Sequence, residues 1–200
     1  TYKLLGVGMD NKLYYKNSLT SAWVYGGDNT CCVTCAIQMR DGRVVGIGTD
    51  KKLYTKNTLS SAWIFAGDNT CCVVGVCQLK SGVIVGIGTD SKLYTKSSLG
   101  ATWVFGGENT CCVKWITEFN NGLLVGVGTD NRIYTKTSLG AAWVGPIANS
   151  CCVTAVVQSP DGVIYGIGTD NKLYHKRNLT DTWNYGGDNT CCIKSIAIII

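Results

Sequence analysis

Five adjacent cysteine pairs, Cys31-Cys32, Cys71-Cys72, Cys111-Cys112, Cys151-Cys152 and Cys191-Cys192, are the residues of this chain best equipped for chemistry. They recur every 40 residues, each closing the motif Asp-Asn-Thr-Cys-Cys or a close variant of it. Three states are open to them. A vicinal disulfide must join Cα atoms only about 3.8 Å apart, below the usual bridged range of about 4.4–6.8 Å, so it demands a tight turn. The product is a rigid, flat, apolar knuckle. A bridge from the second cysteine of one repeat to the first of the next would instead be a staple, attainable only where Cα atoms approach within about 7 Å near a symmetry axis. Buried free thiols are the third state. No Cys-x-x-Cys spacing comes with histidines, and His175 is the one imidazole, so no metal or other cofactor is expected.

Beside the cysteines stand Asp28, Asp68, Glu108 and Asp188, followed by Asn29, Asn69, Asn109, Asn149 and Asn189. A second acidic set, Asp10, Asp50, Asp90, Asp130 and Asp170, occupies turns such as Thr49-Asp50-Lys51, where an aspartate commonly hydrogen-bonds its own backbone. Fixed donors and acceptors over a flat apolar floor are what a sugar's hydroxyl groups require. Catalysis is not expected, because no serine or cysteine is visibly partnered with a base and His175 stands where the other repeats have Tyr15, Thr55, Thr95 and Thr135. Acidic pairs such as Asp188 with Asp10 recur around the repeats, which suits multivalent binding better than one glycosidase centre. In the fourth loop Gly145-Pro146-Ile147-Ala148 replaces Tyr25-Gly26-Gly27-Asp28. The acid is lost while both cysteines remain, so this site is expected to be weakened or altered. Asp28 and its counterparts are then the stronger candidates for ligand contact.

The elements that position these residues follow from the period. Aligned on Gly6-Val7-Gly8, the units are 6–45, 46–85, 86–125, 126–165, and 166–200 completed by 1–5, a single domain 1–200. Within one unit Cys32 to Met39 is an apolar run, Asp41-Gly42 a hairpin turn, Arg43 to Thr49 a second β-rich run, Leu53 to Lys56 a third and Ala62 to Phe65 a fourth. Four short antiparallel strands in each of five units predict an all-β, five-bladed β-propeller. The first run of each unit is apolar on both faces and is expected to line the centre. The C-terminal run 193–200 then pairs with the N-terminal strands and closes the ring. Gly46 and Gly48, with their repeats, leave room for a close neighbour, expected to be the ring of Trp23, Trp63, Trp103, Trp143 or Trp183, packing between blades.

Composition bounds the rest. The chain is 46% hydrophobic and 16% charged, which excludes disorder. Its net charge is +5, and two lysine or arginine positions recur, Lys12, Lys52, Lys92, Arg132, Lys172 and Lys16, Lys56, Lys96, Lys136, Lys176. The simplest reading is a solvated rim; an anionic glycan or a membrane surface is the other. Nucleic acid is not an expected partner. Twelve cysteines without metal spacing favour an oxidising compartment, so the chain is expected to be secreted, with Thr1 a mature terminus and the tripeptide Asn178-Leu179-Thr180 a compatible glycosylation sequon. The apolar tail Ile196 to Ile200 is far shorter than the roughly 20 residues of a membrane span. Cys35 and Cys77 fall outside the pairs and are expected to be buried free thiols.

The recurring unit Asp-Gly-x-x-x-Gly-Ile-Gly-Thr-Asp-x-Lys-Leu-Tyr-x-Lys, as in 41–56 and 161–176, followed by Leu and then Trp, resembles the repeats of tachylectin-type and tectonin-type β-propeller lectins. The resemblance spans all five repeats. It implies a secreted, innate-defence lectin with one sugar site per blade, often for N-acetylated hexosamines on glycoproteins or microbial surfaces. The cysteine pairs are not part of that family's pattern. Two other functions stay open: a disulfide-rich structural or adhesive scaffold, and a carrier of a small apolar ligand in the central channel. Discs pairing face to face as homo-oligomers are a further expectation.

Overall fold

Each β-rich run of the repeat becomes a strand because turn residues cut the chain on both sides of it. A computed structural model describes residues 1–200. The first blade takes β1 (Lys3–Gly8), β2 (Leu13–Lys16) and β3 (Val24–Tyr25). The second is β4 (Val33–Gln38), β5 (Val44–Gly48), β6 (Leu53–Lys56) and β7 (Ile64–Phe65), and the third is β8 (Val73–Gln78), β9 (Ile84–Gly88), β10 (Leu93–Lys96) and β11 (Val104–Phe105). The fourth holds β12 (Val113–Glu118), β13 (Leu124–Gly128) and β14 (Ile133–Lys136), and the fifth holds β15 (Val153–Gln158), β16 (Ile164–Gly168), β17 (Leu173–Lys176) and β18 (Asn184–Tyr185). The last strand, β19 (Ile193–Ile199), returns to the first blade, giving the order β19-β1-β2-β3.

The chain is thus an all-β, five-bladed propeller of antiparallel four-stranded blades, closed by β19 pairing with β1 from Lys3↔Ile199 to Gly8↔Ile193. In the fourth blade the outer strand shrinks to a bridge between Thr135 and Val144. Gly145-Pro146 follows at once, and proline has no N–H to continue a ladder. The core lies between blades. Leu13, Leu53, Leu93, Ile133 and Leu173 are fully buried at one repeat position, packed with the inner-strand residues of neighbouring blades.

Every inner strand carries a bulge just after the cysteine pair, at Thr34, Val74, Lys114, Thr154 and Lys194, where the register skips one residue. Just before the bulge, main-chain donors reach the preceding blade. Val33 N–H donates to Asn11 O (3.0 Å), Cys72 N–H to Lys51 O (2.9 Å), Val113 N–H to Ser91 O (3.1 Å), Val153 N–H to Asn131 O (3.0 Å) and Cys192 N–H to Asn171 O (2.8 Å). The acceptors all sit in turns at φ of 63–65°, a left-handed conformation that aims the carbonyl across the joint.

At the other end of the inner strands the joint is made by side chains. Gln78 Oε1 accepts from Arg40 N–H (2.9 Å), Glu118 Oε2 from Lys80 N–H (2.6 Å), Gln158 Oε1 from Asn120 N–H (2.8 Å) and Gln38 Oε1 from Ile200 N–H (2.8 Å). Between the fifth and first blades the scheme fails on both sides. Pro160 has no N–H to give and Ile198 stands where the acceptor should be. Tyr2 takes over there, its hydroxyl 2.9 Å from that of Tyr165 and within reach of Asp161.

Candidate ligand-binding site

The cysteine pairs are vicinal disulfides in all five repeats, with neither inter-blade staples nor free thiols among them. Cys35 and Cys77 are free and buried, as expected. Each pair lies against the turn between the second and third strands of the blade it leads into. Thr49 N–H donates to Cys32 O (3.2 Å), and Thr89, Thr129, Thr169 and Met9 repeat the bond to Cys72, Cys112, Cys152 and Cys192 at 3.1–3.3 Å.

A pocket opens at each of these meetings. In the second blade it is lined by Cys31, Cys32, Val33, Gly48, Thr49, Asp50, Tyr54 and Trp63, and it has a volume of about 260 Å³. The equivalents built on Cys71-Cys72, Cys111-Cys112 and Cys151-Cys152 are about 230, 270 and 280 Å³, and that on Cys191-Cys192 about 360 Å³. One wall is apolar and rigid, built from the disulfide, the valine and the indole. The indole gets there because Gly46 has no side chain: a Cβ on Gly46 would lie 2.7 Å from Trp63 Cη2. The glycine thus seats the indole of its own blade, and Trp63 also packs against a buried cluster drawn from the first and second blades, as the expected packing between blades requires.

The opposite wall is polar. Asp50 Oδ1 accepts from Lys52 N–H (3.1 Å), the expected aspartate turn, and Asp50 Oδ2 accepts from the Tyr54 hydroxyl (2.5 Å). Asp10, Asp90, Asp130 and Asp170 make the same two bonds. The tyrosine hydrogen bond is the largest influence holding the Asp50 and Asp90 carboxyls below the usual range, with slight burial opposing it. At Asp10 and Asp170 burial is the largest single influence and raises the pKa. The tyrosine bond, the backbone N–H and the nearby lysine together outweigh it, and the net shift is downward. In return the hydroxyls of Tyr14 and Tyr174 are pushed up to about 12, chiefly by the aspartate that accepts their hydrogen bonds. Aromatic partners back the tyrosines, Tyr14 with Tyr25, Tyr54 with Phe65, Tyr94 with Phe105 and Tyr174 with Tyr185, ring centroids 5.5 Å apart. The fourth blade has Gly145 at that place, so Tyr134 stands unbacked.

The structure separates the candidate residues. The disulfides and Asp10, Asp50, Asp90, Asp130 and Asp170 line the pockets, whereas Asp28, Asp68, Glu108 and Asp188 are exposed and line none of these five. Asn29 spends its amide on Ser60 O (2.9 Å), and Asn69, Asn109, Asn149 and Asn189 do the same to Gly100, Gly140, Thr180 and Thr20. The loop thus touches two turns: its cysteines meet the second-to-third strand turn, and its asparagine reaches the third-to-fourth.

One expectation is corrected. Lys16, Lys56, Lys96, Lys136 and Lys176 are not a solvated rim; they are 0–2% exposed. No carboxylate pairs with them. Their ammonium groups donate to main-chain carbonyls, Lys56 Nζ to Asn29 O (2.6 Å) and Leu59 O (2.8 Å), and each lies over the indole of its own blade at 4.3–4.8 Å. Burial lowers their pKa values, to about 8 for Lys16, Lys56 and Lys176. The lysines fix the Asp-Asn-Thr-Cys-Cys loop and the pocket tryptophan together. Lys12, Lys52, Lys92 and Lys172 are half-buried above Tyr25, Phe65, Phe105 and Tyr185, and Arg132 at the same repeat position is exposed.

No protein-family model matches the chain, and no curated protein matches it in sequence. Similarity is found among solved structures. A symmetrical protein described in terms of its de novo evolutionary emergence has a TM-score of 0.69 at 16% identity, over 98% of each chain. A protein of unknown function from Bacteroides caccae has a TM-score of 0.62 at 10% identity, over 99% of this chain and 98% of its own. A candidate gluconolactonase has a TM-score of 0.55 at 12% identity, over 82% of this chain and 67% of its own. At such identities the likeness shows the fold alone.

Proposed function

We propose that the chain is a secreted, multivalent carbohydrate-binding protein of tachylectin-like type, with one site per blade for N-acetylated hexosamines or related glycans. One observation carries this reading: a pocket with an apolar disulfide-and-indole wall facing an aspartate–tyrosine wall, repeated five times around one ring. A sugar ring has an apolar face and a fringe of hydroxyl donors, and these two walls complement it. The carboxylate is well suited to accept hydroxyls, since each oxygen keeps a lone pair beyond the bond it already makes. It is poorly suited to general acid catalysis, because the tyrosine bond and the backbone N–H favour its ionised form. Binding therefore fits better than hydrolysis. Five weak sites on one disc would gain roughly 10²–10⁴ in avidity on a surface dense in glycans. Disulfides at every site fit an oxidising, extracellular setting.

A glycan array followed by calorimetry tests the proposal. Binding to amino sugars or related neutral glycans, with up to five sites per chain, is expected. Silence across amino sugars, galactosides and anionic glycans would remove it. A structural or adhesive scaffold is the second reading, favoured by the apolar edge strands around the perimeter. Ile64 and Val104 are both 59% exposed there, beside exposed Phe65 and Phe105.

A further inference from the structure

We propose that the pocket of the first blade is a distinct specificity site, for glycosides that carry an apolar aromatic substituent. The inference rests on reading the five pockets as ligand sites and concerns how one of them differs. Four pockets place a threonine between the glycine and the aspartate of the turn, Thr49, Thr89, Thr129 and Thr169. The first places Met9 there. The backbone is unchanged, since Met9 N–H donates to Cys192 O (3.1 Å) as Thr129 and Thr169 do to Cys112 and Cys152. A hydroxyl able to donate and accept is therefore replaced by a thioether with only weak acceptor power. Ile193 also takes the place held by Val33, Val73, Val113 and Val153, so the apolar wall extends further.

The first pocket is also the roomiest of the five, about 360 Å³ against 230–280 Å³. Met9 is 54% exposed, so packing the core is not what this side chain does. A flexible, polarisable methionine at the rim of an apolar pocket is suited to close over an aromatic group, with sulfur against the ring edge. The polar anchor survives, because Asp10 keeps its bonds to Tyr14 and the Lys12 N–H. The first pocket can thus hold the same sugar as the others and add a contact to an aryl group where they would offer a hydroxyl.

The chain has two methionines, and Met39 is buried, so the Met9 methyl is a private reporter of this pocket in methyl-labelled protein. The oxidised, full chain is titrated with N-acetylglucosamine and with its p-nitrophenyl β-glycoside, while calorimetry counts sites for the free sugar. The Met9 methyl resonance is expected to titrate about tenfold more tightly with the aryl glycoside than with the free sugar. Met9→Thr, which installs the residue of the other four repeats, is expected to make the first pocket like them. Thr49→Met is expected to create a second tight aryl site. A Met9 methyl that does not move with the aryl glycoside, or titrates equally with both probes, overturns the inference even if calorimetry counts five sugar sites. A calorimetric silence with free sugar, alongside a tight aryl titration at Met9, would instead sink the lectin reading and leave the first-blade site standing.

Discussion

The two ends of the inner strands join neighbouring blades by different means. At the Cys-Cys end the donors and acceptors are main chain, and all five joints form although the accepting residue is Asn11, Lys51, Ser91, Asn131 or Asn171. At the other end a Gln or Glu side chain must meet a main-chain N–H, and only four joints form, because Pro160 and Ile198 remove both halves of the fifth. A joint made of backbone survives drift in sequence; a joint made of side chains does not. The end where the disulfide pockets lie is the one whose geometry is insulated from side-chain change, and Met9, the residue that sets the first pocket apart, alters its lining without altering the ring.

This contrast can be broken or sharpened. The largest effect is expected at Gly48, where a Cβ would lie 2.6 Å from Asp50 Oδ1 and 2.7 Å from the Tyr54 ring. Gly48→Ala should cost about 2 kcal/mol in denaturant unfolding and remove one pocket from the calorimetric count. A variant with wild-type stability and five sites would deny that the aspartate–tyrosine wall is packed as described. Gln78→Leu, at the side-chain end, should cost about 1 kcal/mol by leaving the Arg40 N–H without its partner, and should leave ligand stoichiometry untouched.

Titration comes next, because main-chain joints do not ionise while the buried lysines and the pocket tyrosines do. The folded Lys16, Lys56 and Lys176 have pKa values near 8 against an ordinary 10.5, so between these limits the unfolded chain binds more protons and stability rises with pH. Tyr14 and Tyr174 are shifted from 10 up to about 12, so above pH 10 the folded chain holds more protons and stability falls. The thermal midpoint should therefore climb from about pH 8 to a maximum near 10 and decline beyond it; a flat profile would mean the lysines keep ordinary pKa values. The smallest effect is a repair. Pro160→Ala with Ile198→Gln restores donor and acceptor at the fifth joint and should gain about 0.5 kcal/mol, part of the new hydrogen bond being offset by the proline's lost rigidity. No gain from the pair beyond the sum of the single changes would show that the two positions do not meet.

Much of this was legible in the sequence because the period repeats every signal five times. The blade count, the strand boundaries, the ring closure through 193–200 and the glycine strip under the tryptophan all follow from aligned residues. The vicinal disulfides stood among three open states, since residue spacing does not fix how two adjacent side chains turn. The buried lysines were missed for a physical reason. Lys56 is satisfied by the carbonyl of Asn29, 27 residues earlier, and backbone acceptors leave no mark in a sequence. The one available signal was that Lys16 and its counterparts recur with no acid recurring beside them at a distance a surface pair would use. The loss of the acid in the fourth repeat is visible in the sequence and draws attention to Asp28, whereas the pocket position of Asp50 depends on the Tyr54 hydroxyl folding back across Gly48 and leaves no such mark.

The lysine ring also makes the molecule its own gauge of opening. An amine-reactive reagent applied to the folded disc will acylate the surface lysines quickly and leave Lys16, Lys56, Lys96, Lys136 and Lys176 unlabelled, because their ammonium groups are shut behind the loops they hold. Each of the five lies in a different blade, so the order in which they become acylated during slow unfolding would read out, blade by blade, where the disc first comes apart.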